Sequence, residues 1–239
     1  MAEEEIIKHT RKIYATWNRE DLSIWQKLKE LFVEIFIIVF AVTISIWFHN
    51  WSEHRQQQNE TNQFLTGLKT DLENDINEMK NDKIFYKNQQ NAFQFITQVR
   101  KNEILNNDSL KGYIPWIFNT ASLNSHNARF EGFKSSGKIG TIEDLVLQNE
   151  IMDIYTESIP HLLVNTQNYI NRKELLIQYI YKNRMKMSDT TSNLNVILSR
   201  DEAQNICNTL NNTAEVIARY DECINKANEI VEKIQRTSQ

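Results

Sequence analysis

Residues Leu31 to Trp51 read LFVEIFIIVFAVTISIWFHNW, 21 residues with one formal charge, Glu34. As a helix rising about 1.5 Å per residue, the stretch reaches roughly 30 Å, the hydrocarbon thickness of a bilayer. Trp47, Phe48 and Trp51 gather at one end, the pattern of an aromatic interfacial belt. A buried core helix of this length normally carries a polar face, and this stretch has none. It therefore predicts one transmembrane helix over 31–51. About thirty residues precede it and no small-x-small site follows Ile46, so it reads as an uncleaved signal anchor.

Orientation follows from the flanking basic residues. Lys8, Arg11, Lys12, Arg19, Lys27 and Lys29 precede the span, whereas the twenty residues after it hold only Arg55 and Lys69. The positive-inside rule then puts residues 1–30 in the cytoplasm and 52–239 outside it. Within 1–30, Ile6, Ile7, Ile13, Tyr14 and Trp17 form an amphipathic stretch over 3–17. It suits either the inner membrane surface or a packed cytoplasmic helix. Asn18 and Asp21 resemble a cap leading into the next helix.

The 239 residues include only 5 Gly and 2 Pro. A chain so poor in helix breakers is mostly long helices, and the expected class is all-α: an N-terminal amphipathic helix, a transmembrane helix continuing into a stalk, and a helical bundle or coiled coil. From Asp21 to about Arg100 there is no proline and one glycine, Gly67. Phe64, Leu65, Leu68, Leu72, Ile76 and Met79 keep three-four spacing, so the stalk has one apolar face needing a partner helix. Residues 101–112 are a polar break, and the aromatic run 113–133, with Pro115, predicts a short helix and a turn packed on the stalk. Residues 141–183 predict a helix capped by Thr141 with Asp144 and kinked by Pro160. Residues 187–200 read as a loop.

In the last segment Leu210, Ile217, Ile224 and Val231 recur every seven residues. Ile206, Thr213, Tyr220, Ala227 and Ile234 fill the alternate seam. That heptad serves an intramolecular bundle helix or an intermolecular coiled coil equally well. Cys207 and Cys223 fall beside the seam, about 24 Å apart on one helix. They reach each other only if Asn211–Asn212 is a sharp turn. Two cysteines make neither a disulfide framework nor a zinc site.

Residues 131–144, EGFKSSGKIGTIED, match the first part of a phosphate-binding loop through Gly132, Gly137 and Lys138. The eighth position, which must be Ser or Thr to hold magnesium, is Ile139. The preceding SLNSHNARFE is no apolar strand. Gly137 and Gly140 are better read as turn residues between helices, and no nucleotide is expected. The net charge of −4 is spread along the chain, which argues against a nucleic-acid partner. His9, His49, His54, His126 and His161 show no metal-ligand spacing, and no nucleophile elbow appears. No catalytic residue, metal or cofactor is expected, and the chain reads as non-enzymatic. Glu34, one turn inside the span, is the exception of interest. It serves either assembly, with Lys27 or Lys29 as its pair, or a conducted path.

Three stretches, EIFIIVFAVTISIWFHNWSEHR, FLTGLKTDLENDINEM and FKSSGKIGTIEDLVLQNEIMDIY, resemble a large family of bacterial proteins known only as a domain of unknown function. The resemblance covers roughly residues 28–236. It is carried by Glu34, Asn50, Trp51, Ser136 and Gly137, while the first 27 residues depart from it. It implies a single-pass protein of the Gram-negative inner membrane with a periplasmic helical domain over 52–239. It brings no activity with it. The membrane and assembly candidates are thus Glu34, Trp47, Asn50 and Trp51. The expected partners are the lipid bilayer and either a second copy or another membrane or periplasmic protein. A homo-oligomeric pore with Glu34 near its cytoplasmic mouth is the alternative.

Overall fold

The computed structural model describes residues 7, 8, 11, 14, 23–99, 103–185 and 193–237, save the side chains of 26, 27 and 30. Among these residues there is no strand, and the chain is all-α. Of the amphipathic stretch 3–17, only Ile7, Lys8, Arg11 and Tyr14 are described; they are helical and exposed. The expected Asn18–Asp21 cap and most of the loop expected over 187–200, up to Ser192, lie outside the described residues.

Helix α1 runs unbroken over Ile24–Thr97, 74 residues. The absence of proline permits that length, since each proline removes a backbone donor and clashes with the preceding turn. The chain divides into two compact units, 1–60 and 61–239. In the second, the three-four stripe of α1 is buried as its spacing predicts: Leu68, Leu72 and Met79 are wholly enclosed, and Tyr86, Phe93 and Ile96 continue the face.

Gly67 sits in α1 where a Cβ would lie 2.4 Å from the Arg129 guanidinium carbon. Arg129 Nε donates to Asp71 Oδ2 at 2.8 Å across that gap. The arginine tip is half-exposed and free to swing, so Gly67→Ala trades a surface ion pair for helix propensity. Those terms are each about 0.5–1 kcal/mol and of opposite sign. The substitution is expected to leave stability nearly unchanged in the wild type. In an Arg129→Ala background it should stabilise by about 1 kcal/mol, a difference that denaturant melts of the four-protein cycle would read.

Where a polar break was expected, helix α2, Asn107–Lys111, forms; Asn106 Oδ1 accepts from Ser109 N at 3.0 Å and Leu110 is buried. Helix α3, Ile114–Phe118, carries Pro115 in its first turn, where the missing N–H has no intrahelical partner to lose. Residues 119–127 are irregular, and helix α4 follows over Ala128–Ser135. Gly137, at φ 73°, leads into a 3-10 turn over Lys138–Thr141. Gly140 lies inside that turn, with a φ outside the left-handed region.

Helix α5, Leu145–Asp153, is capped by Asp144 alone: its Oδ1 accepts from Val146 N at 2.9 Å and Leu147 N at 3.1 Å. The expected Thr141 cap is thereby corrected. The 3-10 turn occupies that position, and the Thr141 hydroxyl donates to Lys138 O and lies 2.6 Å from that of Thr61. A π turn over Ile154–Ser158 joins α5 to helix α6, Ile159–Asn183. Ile159 N donates to Ile154 O, five residues back. The widened turn receives Pro160, whose ring would strike a carbonyl four residues back in a regular helix. Helicity continues through the proline.

Helix α7, Leu194–Leu198, corrects part of the loop expected over 187–200: Leu194, Ile197 and Leu198 are buried. Helices α8, Asp201–Leu210, and α9, Ala214–Thr237, follow. The heptad read across 206–234 is corrected in its continuity. Its repeat crosses a helix break at Asn211–Thr213, so it is not one coiled-coil strand. On α9 the expected seam residues Tyr220, Ile224, Ala227, Val231 and Ile234 are buried, Val216, Cys223 and Ile230 are buried with them, and Ile217 is half-buried. Leu210 is fully buried, but on α8. Helix α9 packs within the chain against α5, the π turn and α6.

Candidate membrane interface and side-chain ladder

Within the first unit, α1 contains the stretch long and apolar enough to cross a membrane. Only 6% of its most apolar 18-residue window is buried. Phe32, Phe36, Val39, Phe40, Val42 and Ile46 are all exposed, and so are Val33, Ile37, Ile44 and Phe48 further round the helix. A core helix of a water-soluble domain would have enclosed them. The two hydroxyls in the stretch are satisfied within their own turns: Thr43 donates to Val39 O at 2.7 Å and Ser45 to Ala41 O at 2.8 Å. That arrangement suits hydrocarbon, where an unsatisfied hydroxyl costs several kcal/mol.

Trp47, Phe48 and Trp51 make successive edge-to-face contacts with centroids 5.2 and 6.3 Å apart. The Arg55 guanidinium lies 4.6 Å above the Trp51 ring. Asn50 is exposed beside them, and His49 stands 4.0 Å from Glu53. The stretch thus ends in amphipathic rings followed at once by charge, as an interfacial anchor requires. Glu34 is 7% exposed. With Leu31 and Ile38 it marks one less-exposed face of α1, at spacings of three and four.

In the second unit a polar stripe runs beside the apolar one on α1: Asp71, Asp75, Glu78, Asp82, Tyr86 and Gln89, again in three-four spacing. Five of these six grip residues 119–129. Gln89 Nε2 donates to Trp116 O at 2.9 Å and Asn119 O at 3.0 Å. Tyr86 donates to Ala121 O at 2.6 Å. Glu78 accepts from Asn124 N at 2.8 Å. Asp75 accepts from Ser125 Oγ at 3.0 Å, His126 N at 3.0 Å and His126 Nδ1 at 2.6 Å. Asp71 takes Arg129.

The rungs run antiparallel. From Gln89 to Asp75 the helix advances about 21 Å, at about 1.5 Å per residue. Asn119 to His126 must cover the same distance in seven residues, about 3 Å each, so this segment is an extended strap. Its backbone polar groups have no strand partner, and the helix side chains supply what a sheet would have supplied.

Asp82, the sixth member, accepts from Tyr220 O–H at 2.9 Å, and burial raises its carboxyl above the usual range. Tyr86, Tyr169 and Tyr220 meet in the core, with Tyr86 5.3 Å from Tyr169 and 5.8 Å from Tyr220. Burial holds all three phenols well above the ordinary range. Lys173 lies beneath the strap, 2% exposed, and donates to Asn119 O. Desolvation lowers its ammonium to about 8. Cys207 and Cys223 are free and buried, pushed up to about 12 and about 11 by desolvation. Neither is a reactive thiolate; both are packing residues.

The phosphate-loop match dissolves in three dimensions. Gly132 lies within α4, Gly137 is the left-handed residue after that helix, and Lys138 opens the 3-10 turn. A helix stands where a phosphate loop requires a strand.

Sequence reasoning missed the ladder. Its signal was present in the acidic positions 71, 75, 78 and 82, all on one helix face. The segment that answers Asp71, Asp75 and Glu78 lies 46 to 58 residues further along the chain and has no periodicity of its own.

No protein-family model matches the chain, and neither a curated protein nor a solved structure matches it.

Proposed function

We propose that this chain is a non-enzymatic, single-pass protein of the bacterial inner membrane. Its helical region beyond the span assembles with itself or binds another membrane or periplasmic protein, as scaffold, accessory subunit or sensor. The observation that carries the reading is the bare apolar surface of α1 between Leu31 and Trp51. Such a surface is stable in water only when covered, and a bilayer covers all sides of a helix at once. The surplus of Lys and Arg in residues 1–30 favours a cytoplasmic N-terminus and a periplasmic 52–239. The likeness to an uncharacterised bacterial family, read on Glu34, Asn50, Trp51, Ser136 and Gly137, supports the same arrangement.

The pore reading draws less support. A water-filled path needs polar groups along one face, and both hydroxyls of the span are turned onto their own backbone. Glu34 then serves assembly, at the less-exposed face it shares with Leu31 and Ile38.

Two measurements on the full chain test the proposal. Protease added to intact spheroplasts should digest residues 52–239 and spare an N-terminal tag; the reverse pattern would overturn the orientation. The native mass in mild detergent should correspond to one or two chains, alone or with a different subunit. A ring of many identical chains would overturn the preferred reading in favour of the pore.

A further inference from the structure

The strap is held to α1 by side chains, and one rung differs from the rest. Asp75 is wholly buried, whereas His126, which binds it, has a side chain 47% exposed. A fully enclosed carboxylate therefore depends on a donor that water and protons reach directly. Asp75 accepts three groups from two successive strap residues: the Ser125 hydroxyl, the His126 amide and the His126 ring. No other position on the strap is gripped by both backbone and side chain in this way.

We propose that residues 119–127 form a proton-gated strap, latched to α1 by the Asp75–His126 ion pair when His126 is protonated and loosened when it is neutral. The charged groups facing the imidazole are known from each packed element. Helix α1 presents Asp75, Asp71 and Glu78, all of which act on His126. Helix α4 contributes Arg129, committed to Asp71 at 2.8 Å. The π turn contributes Tyr155, a buried phenol whose hydroxyl feels Asp75 and Asp71. The field at the imidazole is thus dominated by carboxylates, and the Arg129 cation is already paired.

The hydrogen bond to Asp75, then the Asp75, Asp71 and Glu78 charges, outweigh desolvation and raise the imidazole above its ordinary value. A raised folded-state pKa stabilises the latched form fully below the ordinary histidine range, and that contribution is lost as pH rises through the folded value. Deprotonation leaves a neutral N–H on the carboxylate, a bond that keeps its anionic acceptor but loses the attraction between two opposite charges. The Asp75 rung then keeps its bonds from the Ser125 hydroxyl and the His126 amide but loses its ionic component, while Gln89, Tyr86 and Glu78 keep theirs unchanged. The expected outcome is local opening rather than unfolding. Opening uncovers Lys173, Gln89 and the Tyr86 hydroxyl, a polar patch that the closed strap hides.

Amide hydrogen exchange on the full-length protein in detergent tests this. After correction for intrinsic rates, protection of the peptide spanning 119–127 should fall about three-fold or more between pH 5.5 and 8.5. Helix α5, residues 145–153, should keep its protection over the same range. In His126→Gln, an exposed substitution that cannot titrate, the pH dependence of the strap should vanish. A wild-type strap indifferent to pH, a fall that persists in His126→Gln, or an equal fall in α5 would each overturn the proposal. So would an imidazole that titrates below the ordinary histidine value when His126 is followed by NMR.

Discussion

Lys173→Met is expected to stabilise the protein near neutral pH by about 1–3 kcal/mol. Lys173 is 2% exposed and its acceptor is a carbonyl, Asn119 O. Burial with so little compensation lowers the ammonium from 10.5 to about 8, and every tenfold gain in acidity corresponds to about 1.4 kcal/mol between the two protonation states. Methionine keeps the volume and removes the charge. Asn119 O is not orphaned by the change, because Gln89 Nε2 still donates to it at 3.0 Å. The folded value lies below the unfolded one, so the unfolded chain binds more protons between about 8 and 10.5, and wild-type stability gains with pH across that window. The advantage of the variant should therefore shrink from about pH 7 to about pH 10. Denaturant midpoints of both proteins at the two pH values would read it, and a gap that widened in alkali would refute the account of Lys173.

Phe40→Arg is expected to release the chain from the membrane. Phe40 is 54% exposed and sits near the middle of the 31–51 stretch, stacked on Phe36 at 5.7 Å. An arginine at the centre of a spanning helix costs roughly 2.5–3.5 kcal/mol on insertion. That is about a hundred-fold in the partition between membrane and water. Alkaline carbonate extraction should leave the wild type in the pellet and move much of the variant to the supernatant. Trp47→Ala, at the belt, should shift the partition far less, because an interfacial position is already partly hydrated. Equal retention of Phe40→Arg and wild type would mean that this helix does not meet hydrocarbon.

Some of the molecule was legible because the physics is local. Helix α1 was readable from the absence of proline over its length and from the three-four spacing of Leu68, Leu72, Ile76 and Met79. The apolar stretch was readable because transfer from water acts on each residue independently of sequence-distant neighbours. Gly137 was readable as a turn, since a φ of 73° after a helix favours a residue without a Cβ.

Other readings failed where two local patterns competed. The heptad through Leu210, Ile217, Ile224 and Val231 is a true repeat in letters. It carries no information on whether the helix survives Asn211–Thr213, and the chain breaks there. Beyond the break α9 keeps Tyr220, Ala227 and Ile234 of the expected seam buried and adds Val216, Cys223 and Ile230, because packing against α5 and α6 decides which face is deepest. Thr141 lost its capping role to Asp144 for a similar reason. A 3-10 turn stabilised by Gly137 had already taken its place.

The all-α class, the unbroken length of α1 and its one exposed apolar stretch follow from residue types and spacing alone, because helix propensity and transfer from water are near-neighbour quantities. The strap, the Asp75–His126 rung and the burial of Lys173 arise only when segments 30 to 58 residues apart in the sequence come together. Each depends on a side chain of one helix meeting the backbone or side chain of a distant segment, and the three-four spacing on α1 does not say which segment will meet it.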